Sequence, residues 1–231
     1  MASFTQRLDR GLKTTALRSL RFNLRAKRLF TKRRNCLFVT CFPKSGSTFL
    51  VSVLAESSGY IRQFLGYDHL NEQDLYLPHL IDAYNMNIVC HQHTRATSPN
   101  LELIKEFGIR PVVLVRDVFD CLVSLRDHLD RESRRTPVFT ATDDFFSKSQ
   151  TEQFDELIDL ALPWYVNFVV SWKSAQSEGV ETLWLSYEDM MADKAEAVRQ
   201  VLRFYGLDQF GSRVDAGIAN VDAGDGTRFN R

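Results

Sequence analysis

The sequence predicts an α/β domain with a mainly parallel central sheet flanked by helices, on three observations. Short apolar runs alternate with segments of helical periodicity along most of the 231 residues, the pattern of strand–helix–strand units. One run, PVVLV at 111–115, shows no polar alternation, as expected of a strand buried on both faces. Lys44, His93, Arg116 and Tyr187 all fall just beyond the ends of such runs, and open α/β sheets bind ligands past their carboxyl strand ends.

The first run, CLFVTCF at 36–42, is bounded by charge before it and Pro43 after it, and reads as a buried strand. Lys44, Ser45, Gly46, Ser47 and Thr48 form a small polar turn, and Phe49, Leu50, Val53 and Leu54 then recur at helical spacing. A strand, a tight polar loop and a helix start make an anion site, because the first-turn amides are unpaired and the dipole favours negative charge. Lys44 adds a full charge. The nucleoside triphosphate loop G-x-x-x-x-G-K-[ST] is not matched, because Lys44 precedes the loop glycine.

Residues 59–86 carry Tyr60, Phe64, Tyr67, Tyr76 and Tyr84 among polar residues. They predict one or two short helices and loops beside the site, the aromatics serving as core or as acceptor contacts. Residues 87–91 form a second short strand, with His93 just beyond it. A helix over 99–107 is closed by Gly108, the 111–115 strand ends at Arg116, and Val118, Cys121, Leu122, Leu125 and Leu129 mark the next helix. Residues 130–150 read as a long surface loop. A helix from about Glu152 is interrupted near Pro163 and resumes through Trp172; a fourth strand covers 180–185. One amphipathic helix is expected over 188–205, stopped by Gly206.

The formal net charge of zero conceals an asymmetry. Residues 1–35 hold eleven Lys/Arg against Asp9 alone, a net of +10, leaving 18 basic and 28 acidic residues, a net of −10, on the body. The division is therefore a basic arm, 1–35, and an α/β domain, 36–231. The arm has no unbroken apolar run, which argues against a membrane span or a secretory signal. Leu8, Leu12, Leu17, Leu20 and Leu24 can line one side of a basic amphipathic helix, suited to an anionic membrane surface. The alternatives are a helix packed on the acidic body, a solvated arm or an organelle transit segment. Cys36, Cys41, Cys90 and Cys121 lie in apolar surroundings without metal-ligand spacing, as buried thiols of a reducing, cytoplasmic setting do. No nucleic-acid partner is expected.

Several of these segments, in order, resemble the sulfotransferases that use 3′-phosphoadenosine 5′-phosphosulfate (PAPS). PKSGSTF at 43–49 resembles that family's P-K-S-G-T-T-W loop, which holds the 5′-phosphosulfate. The resemblance implies a P-loop-like site formed by Lys44, Ser45, Gly46, Ser47 and Thr48, with Phe49 in place of an adenine-stacking tryptophan. VVLVRDVFDCLVSLRDH at 112–128 resembles the second signature, whose arginine and serine hold the 3′-phosphate, here Arg116 and Ser124. LWLSYEDMMAD at 183–193 is similar to the segment whose tyrosine lies by the adenine, here Tyr187. DFF at 144–146 and LPWY to SW at 162–172 resemble the family's middle region.

The family's strand-end K-T-H aligns with His91-Gln92-His93, so His93 takes the place of the catalytic histidine and His91 replaces the lysine. The family's late R-K-G loop is expected to begin at GTRFNR, 226–231, where Arg228 or Arg231 would supply its charge without the glycine; either the chain is truncated or the closing loop is reduced. The resemblance implies transfer of a sulfuryl group from PAPS to a hydroxyl or amine of an acceptor, releasing PAP without a metal. His93 would be the general base and Lys44 would stabilise the leaving phosphate. The rival readings are a catalytically weak nucleotide-binding protein and a P-loop nucleotide kinase. His69, His79 and His128 lack such context, and structural or surface roles are expected of them.

Overall fold

The computed structural model describes residues 4–67 and 72–224, with side chains from Thr15 onward. Arg228, Arg231 and His69 lie outside the described residues. The five strands are β1 (Cys36–Cys41), β2 (Ile61–Arg62), β3 (Ile88–Gln92), β4 (Pro111–Val115) and β5 (Leu183–Ser186). They form one sheet in the order β2-β3-β1-β4-β5, and every pairing is parallel. The helices are α1 (Phe4–Phe30), α2 (Ser47–Ser58), α3 (Leu77–Ala83), α4 (Ser98–Phe107), α5 (Val118–Arg131), α6 (Asp143–Ser147), α7 (Gln150–Leu160), α8 (Leu162–Ser177), α9 (Tyr187–Ala192), α10 (Lys194–Phe204) and α11 (Val214–Gly224), with a 3₁₀ turn at Asp208–Arg213.

β1 is the central strand, and its side chains divide between two cores as a strand's period of two requires. Leu37, Val39 and Cys41 join a core formed with α2, α9, α10 and α11. Phe38 joins the opposite core, together with Phe42 just past the strand and residues of α3, α4, α5, α7 and α8. Burial on both faces is why the strands read as continuous apolar runs. The first strand order reversal lies beside β1, with β3 on one side and β4 on the other. The β1 loop, the end of β3 and the end of β4 therefore open together, at the position where such sheets place ligands.

Four local expectations are corrected. Residues 59–86 contain an edge strand, β2, as well as α3; two residues paired with β3 are too short to show periodicity. The segment 130–150 is not one loop: α5 runs to Arg131, Arg135 and Thr140 bridge, and Thr142 caps α6. The fourth strand begins at Leu183, not 180, because Val180 packs in the core ahead of it. The helix expected over 188–205 is two helices. At Asp193 the backbone turns to φ −145°, ψ 88°, and its carboxylate accepts from the Glu196 amide to cap α10.

The arm forms a 27-residue helix, α1, whose C-terminal part docks on the body. Leu24 is only 2% exposed. Lys27 Nζ donates to the carbonyls of Ile81 and Asp82 at 2.7 and 3.0 Å, capping the end of α3. Arg28 donates to Glu106 O, and Arg33 to the carbonyls of Phe107 and Gly108 at the end of α4. Cations placed on orphan carbonyls favour both hydrogen bonding and the helix dipole. Among the described residues no helix is long and apolar enough to cross a membrane.

Candidate active site

The loop between β1 and α2 is held from beneath. Phe42 packs edge-on against Tyr165 and Phe168, the Tyr165 hydroxyl donates to Pro43 O, and Ser45 Oγ donates to Phe42 O at 2.7 Å. Lys44 adopts φ +68°, the one positive φ on a non-glycine residue among those described. Such strain persists only where surrounding contacts impose it, and it collects at functional sites. Gly46 follows at φ +79°, and a β-carbon there would sit 2.9 Å from the Tyr187 ring. No side chain caps α2, so its first amides remain available to an anion.

Lys44 is pulled below its ordinary pKa, first by burial and then by Arg116, with Glu132 and Asp127 opposing the shift. Arg116, at the end of β4, donates from Nη1 to Lys44 O at 3.1 Å and lies 4.3 Å above the Tyr187 ring. Its Nη2 reaches Asp120 at 3.3 Å, and its Nε is buried without a partner among the described residues. A guanidinium held over an aromatic ring, with an unused donor, can pair with an oxyanion. Tyr187 is the first residue of α9, directly after β5. The three elements are thus linked by backbone and ring contacts.

Two expected residues sit less directly in this group. Ser124 is half-buried two turns into α5, and its hydroxyl has no partner among the described residues. Phe49 lies within the α2-side core, only 6% exposed, with Lys194 Nζ 4.9 Å from its ring centroid.

Beside the loop opens a cavity of about 390 Å³, whose wall includes Lys44, Gly46, Ser47, Thr48, His91 and His93. The β1–β3 register, which sets Thr40 opposite Gln92, brings His93 next to Cys41. His93 Nδ1 lies 2.9 Å from Cys41 O. A carbonyl only accepts, so Nδ1 carries the proton and Nε2 keeps the lone pair. Nε2 faces the Glu72 carboxyl at 3.5 Å. Burial, then Lys44, push the His93 imidazole down to about 4, so the ring is neutral near pH 7. His91, whose ring centroid is 6.5 Å away, is likewise pushed down to about 4 by burial and by His93. The Cys41 thiol is pushed up to about 12 by burial and stays protonated.

The opposite wall was not anticipated. Glu72 comes from the turn before α3, His128 and Glu132 from the end of α5, and Arg135 and Thr136 from the loop after it. His128, expected in a structural or surface role, has Nδ1 3.2 Å from Glu132 and a pKa lowered mainly by burial. A sequence signal for it existed, since Leu125, His128 and Glu132 lie at i, i+3 and i+7 on one helical face. Glu72 carried none. His79 instead packs on Tyr76 at 5.0 Å. Among the described residues no group of three or more His, Cys, Asp or Glu side chains could hold a metal ion.

The fold is similar to solved structures of low sequence identity. Mouse sulfotransferase SULT7A1 complexed with PAP is 18% identical, with a TM-score of 0.58 over 85% of this chain and 68% of that one. Retinol dehydratase in complex with androsterone and the inactive cofactor PAP is 14% identical, with a TM-score of 0.56 over 80% and 64%. Retinol dehydratase with retinol and PAP is 16% identical, with a TM-score of 0.53 over 82% and 65%. The chain spans about two thirds of the length of these proteins, less than that for the two retinol dehydratases. No curated protein matches it at a significant level. The sulfotransferase domain, by contrast, matches continuously over residues 34–220, from the start of β1 into α11 and across every part of the cavity described above; this chain belongs to the sulfotransferase family.

Proposed function

We propose that the protein transfers a sulfuryl group from PAPS to a hydroxyl or amine of an acceptor. The observation that carries this is the joining of three cationic or donor elements at one sheet end: uncapped α2 amides, Lys44, and Arg116 bonded to the Lys44 carbonyl. The donor set fits a nucleotide with phosphates at both ends. Gly46 leaves room where a β-carbon would strike Tyr187, and Arg116 Nε is buried without a partner. When bound, PAPS supplies the sulfuryl group and leaves as PAP. Lys44, with Ser47 and Thr48, neutralises charge at the leaving phosphate. His93 takes the acceptor's proton at Nε2, the nitrogen its Cys41 hydrogen bond leaves free. Arg116 and Ser124 would hold the 3′-phosphate, and Tyr187 and Phe49 would flank the adenine. The polar wall of Glu72, His128, Glu132 and Arg135 favours a polar acceptor over an apolar one.

Calorimetry with 3′,5′-ADP against 5′-AMP tests this reading. Charged hydrogen bonds to the 3′-phosphate are worth about 1.5–3 kcal/mol, so 3′,5′-ADP should bind roughly ten-fold to over a hundred-fold more tightly. Arg116→Ala should erase most of that preference. Equal affinities overturn the assignment, and ATP-Mg binding more tightly than either favours the kinase.

The outward side of α1 supports a membrane partner. Arg18, Phe22, Arg25 and Leu29 follow at i, i+4, i+7 and i+11 on the side away from Leu24, with Phe22 70% and Leu29 81% exposed. Arginines interleaved with large apolar side chains suit an anionic bilayer surface. The four free thiols support a reducing, cytoplasmic setting.

A further inference from the structure

We propose that Glu72 is the positioning residue that makes His93 basic, its carboxylate stabilising the imidazolium formed when the acceptor's proton arrives at Nε2. This rests on the reading of His93 as the base.

Lone-pair geometry states the problem. Nδ1 is committed to the Cys41 carbonyl at 2.9 Å, so a proton from an acceptor can enter only at Nε2. The acceptor's O–H or N–H bond breaks, its electron pair stays on the acceptor atom, and an Nε2–H bond forms. The ring then carries a full charge in a buried place that already holds a cation. Lys44 faces it from the loop and opposes that charge, while His91 on β3 is itself held neutral. The Cys41 thiol, 3.5 Å away, stays neutral. Across the cavity stand His128, Glu132 and Arg135. Glu72, at 3.5 Å from Nε2, is the carboxylate within ion-pair distance of His93 among the described residues.

The pairing is built into the fold. Gln92 Nε2 and Thr94 Oγ1, on either side of His93 in the chain, both donate to the Glu72 carbonyl, at 3.4 and 3.2 Å. Both residues are fully buried. Thr94 is fixed in turn, since its carbonyl accepts from Thr40 Oγ1 and Trp172 Nε1 at 2.6 and 2.9 Å. The strand end that presents the imidazole therefore also holds the backbone of the residue facing it.

Burial raises the Glu72 carboxyl to about 7. Below that pH it holds a proton and gives His93 no anion. Above it the carboxylate is charged, and an opposite charge at this range raises an imidazole's basicity. Proton acceptance by His93 therefore strengthens as pH rises through about 7.

Histidine-labelled full-length protein, followed by NMR from pH 4 to 9, tests this without an acceptor. His93 signals are assigned by their loss in His93→Gln. The wild type should show a step near pH 7 at His93, reporting the Glu72 proton; Glu72→Gln should lose that step, and Glu72→Asp should keep one. The expected Glu72→Gln protein binds PAP within about two-fold of wild type, since Glu72 contacts the imidazole and not the phosphate donors. A wild type without the step, or a step that survives in Glu72→Gln, overturns the proposal. Failure of the wild type to bind PAP would instead strike the sulfotransferase reading and leave the titration result standing.

Discussion

Replacing Gly46 by alanine probes the joint between the loop and Tyr187. The residue sits at φ +79°, ψ 15°, where an L side chain costs about 1–2 kcal/mol. The added methyl would lie 2.9 and 3.0 Å from Tyr187 Cδ2 and Cε2 and 3.1 Å from Met190 Cε. Met190 is fully buried, so little can yield on that side. Overpacking of this kind costs about 1–3 kcal/mol. Together these predict a loss of roughly 2–5 kcal/mol, or a fall in Tm of about 2–4 °C for each kcal/mol in a chain of this size. The binding effect is separate. If the Tyr187 ring is displaced, Arg116 loses the surface it rests on at 4.3 Å, and the 3′-phosphate preference should shrink along with stability. Urea denaturation and calorimetry with 3′,5′-ADP measure the two. A variant within 0.5 kcal/mol of wild type and unchanged in nucleotide preference would refute the reasoning.

Other outcomes are expected. His93→Ala should lower turnover with PAPS by ~10²–10⁴-fold while PAP affinity stays near wild type, and His91→Ala should do less; the reverse order in steady-state rates would move the base to His91. Phe22→Ser with Leu29→Ser should weaken binding to anionic vesicles in cosedimentation without changing the melting curve, since both side chains are exposed. Salt should weaken the wild-type interaction as screening predicts, and salt-independent binding equal in both proteins would remove the bilayer as partner. Leu24→Ala should cost about 2–5 kcal/mol if docking of α1 contributes to the fold; a negligible change would make α1 an appendage.

What the sequence determined by itself is whatever a short stretch of chain settles. The apolar run 36–42, the polar loop after it and the helical spacing from Phe49 specify a strand, a tight polar turn and a helix because each depends on neighbours within a few residues. PVVLV declared itself buried on both faces for the same reason, and the two cores divided by β1 agree. The break at Asp193 was also local. Asp193 and Glu196 are spaced as a helix cap, a signal outweighed by the apolar periodicity that runs through it.

Tertiary structure alone decided the partners. Glu72 lies in an irregular turn with no motif, and it meets His93 because Gln92, at the end of β3, and Thr94, just past it, hold its carbonyl from 20 and 22 residues later. Arg116 meets Tyr187 because β4 and β5 are parallel neighbours, which aligns two strand ends 71 residues apart. Leu20, Leu24 and Leu17 look alike in sequence, yet Leu24 is buried and Leu17 is 51% exposed, because the body lies beneath Leu24 and not beneath Leu17. Side-chain pattern specifies which elements form; which side chains then face one another depends on sheet order and register, set by the burial of whole faces rather than by any one segment.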